Sequence, residues 1–146
     1  MRFFAPNEHY KVVATFTTTP DAKAFDMPTH SGKTKKFRQY GALHFKINDT
    51  AVQLSVYQNL SLLKDDEEHL FVPFTDATSY IETYAGGRYI DLSIKDIKSN
   101  KITIDFNKCY NPYCAFADGY NCPIPPVENR LFVAIHAGEQ LFGKEH

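Results

Sequence analysis

The chain has 146 residues and a formal net charge of −1, from 16 lysines and arginines against 17 aspartates and glutamates. A chain this long buries about 68–70 % of its unfolded surface, enough for one domain with one sizeable core, and 43 % hydrophobic with 23 % charged residues excludes a disordered or collagen-like chain. The balanced charge argues against a dedicated nucleic-acid binder, no apolar run reaches the ~18 residues of a membrane helix, and Asn7-Glu8-His9 stands where a signal peptide would have its apolar stretch.

Twelve phenylalanines and nine tyrosines with no tryptophan favour pleated sheet. In residues 10–17, Tyr10, Val12, Ala14 and Phe16 alternate with polar neighbours, the period of a half-buried strand. Residues 37–47 alternate again, with Phe37, Leu43, Phe45 and Ile47 expected on one face. Asn48-Asp49 breaks the run before Val52, Leu54 and Val56 resume it, which predicts an antiparallel hairpin of 37–47 with 50–57. Leu70-Phe71-Val72 reads as a short strand stopped by Pro73, and residues 89–94 alternate Ile90, Leu92 and Ile94 against Asp91 and Ser93. A turn at Lys98-Ser99-Asn100-Lys101 leads into Ile102, Ile104 and Phe106, a second hairpin, and Leu131, Val133 and Ile135 suggest a last strand. Residues 61–68 and 138–142 each have room for a helical turn or two. These short strands predict a mainly β fold, a small single-domain antiparallel β-barrel spanning residues 1–146, with a β-sandwich as the alternative and a long irregular Pro-rich loop.

Chemistry-bearing residues gather between positions 74 and 129. Gly86-Gly87 before Arg88 permits a close backbone approach, and Arg88 offers a planar fork for a carboxylate or phosphate, or equally for Asp76 or Asp105 within the fold. The amides of Asn107, Asn111 and Asn129 suit either a polar ligand or the loop's own backbone. Cys114 and Cys122 are too widely spaced for a zinc knuckle, and His44, His69 and His136 add no second cysteine pair, so no metal site is expected. The two cysteines fit a disulfide staple, with a nucleophilic Cys114 as the alternative. Walker, Rossmann, Gly-x-Ser-x-Gly and His-Glu-x-x-His motifs are absent from the sequence, so no cofactor is identified.

The run Leu70-Phe71-Val72-Pro73-Phe74-Thr75-Asp76-Ala77-Thr78, then Glu82-Thr83-Tyr84, Gly87-Arg88-Tyr89, Ile104-Asp105-Phe106-Asn107, Tyr110-Asn111-Pro112-Tyr113-Cys114-Ala115, Cys122-Pro123-Ile124-Pro125-Pro126, Glu128-Asn129 and Ala137-Gly138-Glu139 resembles, in order and spacing, a family of uncharacterised bacterial proteins, domain of unknown function 1684. Two residues depart from it: Cys109 stands where the family tends to a small residue, and Tyr80 where glycine is common. The resemblance implies a helical segment ahead of this chain and, in some members, an export or lipoprotein signal, so an extracytoplasmic location fits where such a signal has been removed. It implies no activity.

The reading that follows is a module for a small polar or anionic ligand. Asp76, Gly87, Arg88, Asn107, Asn111 and Asn129 are its polar residues, Tyr84 and Tyr110 its stacking walls, and Cys114 and Cys122 belong to its loop. A hydrolase or transferase using Cys114 or an Asp/His pair is the first alternative, and a structural, envelope-associated domain the second.

Overall fold

The alternation of residues 37–47 and 50–57 folds as the hairpin it predicts. In the computed structural model, which describes residues 2–141, β3 (Thr34–Ile47) and β4 (Thr50–Asn59) pair antiparallel around Asn48 and Asp49. Both turn residues take positive φ, 48° and 69°, as a two-residue hairpin turn requires. Around this hairpin lie β1 (Lys11–Thr18), β2 (Phe25–Pro28), β5 (His69–Phe74), β6 (Arg88–Ser93) and β7 (Lys101–Asp105). The order is β6-β5-β4-β3-β1-β7, with β2 beside the first half of β3, and the sheet curves into an antiparallel half-barrel. The helices among the described residues are single 3₁₀ turns, and none is long and apolar enough to cross a membrane.

β3 changes faces partway along its length. Gln39 pairs with Tyr57 but Gly41 pairs with Val56, so a bulge at Tyr40 places two residues against one. Odd-numbered residues before the bulge therefore point to the opposite face from those after it. This corrects the expected grouping of Phe37 with Leu43, Phe45 and Ile47: Phe37 packs with Met27, Tyr57, Phe71 and Tyr89, whereas the other three join the main core. Gly41 is required there, because a Cβ would strike the Phe16 ring and the Thr17 carbonyl.

The sheet thus has two dissimilar faces. Ala14, Leu43, Leu54, Val56, Leu70, Val72, Ile90, Ile102 and Ile104 make one of them mainly aliphatic, with Phe16 and Phe45 among them. The other is aromatic and is roofed by the Pro-rich loop rather than by a second layer.

Pro73 does not stop β5, which runs on to Phe74. Its missing N–H is tolerated because Asn129, fully buried, fills the gap towards β4. The Asn129 amide donates to the carbonyls of Pro73 (2.8 Å) and Ser55 (3.0 Å), and its Oδ1 accepts from Ser55 N–H (2.7 Å). The expected last strand at Leu131, Val133 and Ile135 is irregular instead. Leu131 and Ile135 are buried as their alternation suggests, but their backbone bonds go to Thr75 and to the Arg88 and Asp76 side chains, not to a ladder. Within residues 61–68 the chain makes one bifurcated turn at the Leu62 carbonyl, short of a helix. Glu139 bridges to Phe3 rather than lying in a helix, and Phe142 lies outside the described residues. β2 has only four residues and no clear alternation, and nothing in its sequence announces it. Tyr80 takes φ 80°, the left-handed conformation that glycine adopts freely, at the position where the family resemblance implies glycine.

Candidate functional site

Even-numbered residues of β6 face the aliphatic core and odd-numbered ones the aromatic face, so this single strand carries two charge systems on opposite sides. Arg88 points into the core, where its side chain and that of Asp76 are each 1 % exposed with Nη2 3.4 Å from Oδ2. Its other donors reach the carbonyls of Ile135, Ala137 and Glu139, and its Cζ lies 5.4 Å from the Phe74 ring centroid. Asp76 also accepts from Ile135 N–H and from Thr78 Oγ1. Both groups are occupied by the fold itself, as buried charges must be.

On the other side lies a cavity of about 460 Å³. Its floor is the aromatic face, where Phe37 and Phe71 have ring centroids 5.6 Å apart and Phe71 and Tyr89 meet edge to face at 4.7 Å. Its roof is a strap. The Tyr110 backbone exchanges two hydrogen bonds with Tyr89 on β6, and on the far side His30 N–H donates to Cys122 O (3.1 Å) and Ile124 N–H to Pro28 O (2.9 Å) beside β2. The strap therefore crosses the whole aromatic face from β6 to β2. A Cys114–Cys122 disulfide, Cα–Cα 6.2 Å, staples it, and the Tyr89 hydroxyl donates to Pro123 O underneath.

Polar groups converge on this cavity. His69 Nε2 lies 2.7 Å from Asp91 Oδ1, and the Tyr110 hydroxyl donates to Asp91 Oδ2 at 2.6 Å. The hydrogen bond to Asp91 raises His69 above its ordinary pKa, outweighing burial. Burial works to raise Asp91, but the hydrogen bonds from His69 and Tyr110 and the His69 charge prevail and hold it below the usual carboxylate value. Burial, and then the bond to Asp91, pushes the Tyr110 phenol up. Lys35 borders the same space, and no ion pair engages it among the described residues. Asn111 lines the inner wall; its N–H donates to Glu139 Oε1 and its amide to Gln140 O, while its Oδ1 is buried without a hydrogen-bond partner. Leu62, Tyr113 and Tyr120 are exposed at the mouth, the two tyrosine rings 5.4 Å apart.

The structure divides the residues that sequence grouped together. Tyr110, Asn111 and Cys122 line the cavity, and Cys114 closes its strap as a disulfide rather than as a free thiol. Asp76, Arg88 and Asn129 lie in the core, each engaged by backbone groups. Gly87 takes φ 94° against the Phe74 carbonyl and Pro125, Tyr84 packs near His30, and Asn107 ties Asp105 to the backbone of Asn7. Asp105 caps this turn rather than pairing with Arg88. The remaining free cysteine, Cys109, is buried, which pushes its thiol up to about 11. Among the described residues no group of three or more His, Cys, Asp and Glu is placed to hold a metal.

A second hollow of about 490 Å³ lies by Asp76, Pro125 and Phe132. The Asp76 oxygens are consumed by Thr78, Arg88 and Ile135, and the hollow's other polar residues, Thr75, Ser79, Tyr80 and Arg130, include no counterpart of the His69–Asp91 pair. Lys35, His69, Phe71, Tyr89 and Asp91 are absent from the sequence-based site, although the odd-numbered positions of residues 89–94 already set Tyr89 and Asp91 on the face opposite Ile90.

The family model described as protein of unknown function DUF1684 matches residues 1–140. The chain is similar to the solution NMR structure of the uncharacterized protein from gene locus rrnAC0354 of Haloarcula marismortui. The TM-score is 0.76 at 34 % identity, over 95 % of this chain and 75 % of that one. No curated protein matches the sequence.

Proposed function

The chain belongs to the DUF1684 family of unknown function, and from its own geometry we propose that it binds a small polar or anionic molecule in the cavity between the aromatic face and the stapled strap. One observation carries this reading. The cavity, at about 460 Å³, falls within the roughly 300–1,000 Å³ of small-molecule sites, and it combines an apolar aromatic floor with a few convergent polar groups. A bare sheet face needs neither the strap nor the inward His69, Asp91 and Lys35.

A second reading, an enzyme using an Asp/His pair, is favoured by the His69–Asp91 contact, which orients the imidazole and sets its basicity as a general acid or base requires. Cys114 does not support that reading while it is bonded to Cys122.

Thermal denaturation of the wild type and of a Lys35→Met variant against a library of small organic anions, neutrals and cations tests the proposal. Binding to the folded state alone raises the melting temperature by mass action. The expected result is stabilisation by anionic or polar compounds that is reduced in the variant. Stabilisation by none of them, or equal stabilisation of both proteins, contradicts it.

A further inference from the structure

The floor, the charges and one buried atom together restrict what the cavity takes, on the premise that it is the binding site proposed above. The floor is made of rings, Phe37, Phe71 and Tyr89, with Tyr110 edge to face against Tyr89 at 5.9 Å. Such a surface favours a flat ring, which stacks or meets edges, over an aliphatic chain of equal size.

The charged groups facing the cavity are Lys35 on β3, His69 on β5 and Asp91 on β6. Each Asp91 oxygen already accepts a hydrogen bond, one from Tyr110 and one shared with His69, so the carboxylate has little left for a cationic ligand. Lys35 has no counter-ion among the described residues, and His69 adds positive charge when protonated. With His69 protonated, its charge offsets that of Asp91, and the charge left over on the cavity is that of Lys35, which is positive.

The third feature is Asn111. Its Oδ1 is buried and unpartnered in a residue that is only 4 % exposed and lines the cavity wall. An unmade hydrogen bond at a buried acceptor costs on the order of 1–3 kcal/mol, so a ligand that draws the Asn111 amide toward the cavity and brings a donor to Oδ1 gains more than one that does not.

We infer that the occupant is a small planar aromatic anion bearing its own N–H or O–H donor: the ring on the Phe37, Phe71 and Tyr89 floor, the anionic group beside Lys35 and His69, and the donor at Asn111 Oδ1.

Four fragment probes separate these features: 2-aminobenzoate carries all three, benzoate lacks the donor, aniline lacks the anion, and cyclohexanecarboxylate lacks both plane and donor and so isolates the plane against benzoate. Each is titrated into ¹⁵N-labelled protein, wild type and Lys35→Met, to concentrations of about 1–10 mM, where fragment affinities register. The expected result is that 2-aminobenzoate moves the amides of His69, Phe71 and Tyr110 and binds about tenfold more tightly than each of the others. Lys35→Met should remove most of that advantage over aniline, and a folded spectrum of the variant verifies that the loss is local. If benzoate, aniline or cyclohexanecarboxylate binds as tightly as 2-aminobenzoate through the same amides, the ligand class is overturned while the cavity remains a binding site. If no probe moves those amides, the class and the binding site fall together.

Discussion

Arg88–Asp76 and His69–Asp91 are both pairs of a basic residue with an aspartate, each drawing one member from β6, yet they serve opposite ends. Arg88 and Asp76 are sealed, with side chains 1 % exposed, and are bonded to three carbonyls, an amide and a hydroxyl of the fold. His69 and Asp91, with side chains 25 % and 45 % exposed, face a cavity and leave donors and a ring available. A permanently charged fork is what a buried crossing of chain segments needs, because it satisfies several acceptors from one plane. A titratable ring on an aromatic surface is suited instead to meeting something that arrives. The lesson is that charge in a sequence marks a position under demand, and only its face decides whether the demand is structural or functional.

The sharpest way to break this comparison is to remove Arg88. Arg88→Met leaves Asp76 buried without its counter-charge and three carbonyls without a donor, so urea denaturation should show a loss of about 3–5 kcal/mol. Arg88→Lys should also destabilise, since a point charge cannot reach all three carbonyls. A loss below about 1 kcal/mol, typical of an exposed pair, would erase the distinction.

Next in size comes Asn129→Ala, which strips Ser55 and Pro73 of their bridging amide. On the order of 2–3 kcal/mol is expected from the buried groups left unmade, again by urea denaturation. Replacing both Cys114 and Cys122 by serine should cost about 2–3 kcal/mol on the chain-entropy account of a loop this short. It should also speed hydrogen exchange in the strap while β1, β3 and β7 stay protected.

The smallest stability effect belongs to His69→Gln, about 0–1 kcal/mol, because the pair is partly solvated and screened. Its signature is pH. His69 is raised by Asp91, so its contribution is full below the ordinary histidine value of about 6.5 and is lost as pH rises through the folded one. Asp91 is lowered, so its contribution is present above the ordinary aspartate value of about 3.9 and is lost as pH falls through the folded one. The pair therefore stabilises most between roughly pH 4 and 6.5. His69→Gln should lower stability within that window and flatten the profile on both of its flanks, and an unchanged profile would contradict the assigned contact.

Much of the architecture was legible because alternation is a direct imprint of a two-faced sheet. β1, the β3–β4 hairpin and β7 follow from period 2, and the turn residues Asn48-Asp49 and Ser99-Asn100 all take positive φ, but the expected second hairpin of residues 89–94 with 102–106 does not form, because β6 pairs with β5 and β7 with β1 at the opposite end of the sheet. The readings went astray where the period was interrupted or replaced. The bulge at Tyr40 inverts Phe37 without any polar residue to mark the shift. Pro73 has no N–H to offer the neighbouring strand, but Asn129, 56 positions away, supplies a donor to Ser55 O in its place and bonds the Pro73 carbonyl as well. At Leu131 and Ile135 the burial was read correctly and the backbone was not, because side chains of Asp76 and Arg88 supply the bonds a neighbouring strand would give.

The candidate site was half legible for a related reason. Glycines, asparagines and an arginine stand out along a chain, yet in Asp76, Arg88 and Asn129 they signal a loop-rich core that must satisfy its own polar groups. His69 and Asp91 do not stand out, since each looks like an ordinary polar residue on a solvent face. They come together only because β5 and β6 pair in register, Phe71 opposite Asp91, and because the strap returns over them from Tyr110.

The central claim is that the aromatic face, and not the Arg88–Asp76 side, is where this protein meets its ligand. The most direct measurement is a map of amide chemical-shift changes on adding a mixed pool of small organic anions to the labelled wild-type protein. The account predicts changes concentrated at Lys35, His69, Phe71, Asp91, Tyr110 and Asn121, with Asp76, Ala77 and Ala137 still. Changes concentrated at Asp76, Tyr80 and Phe132 instead would contradict it.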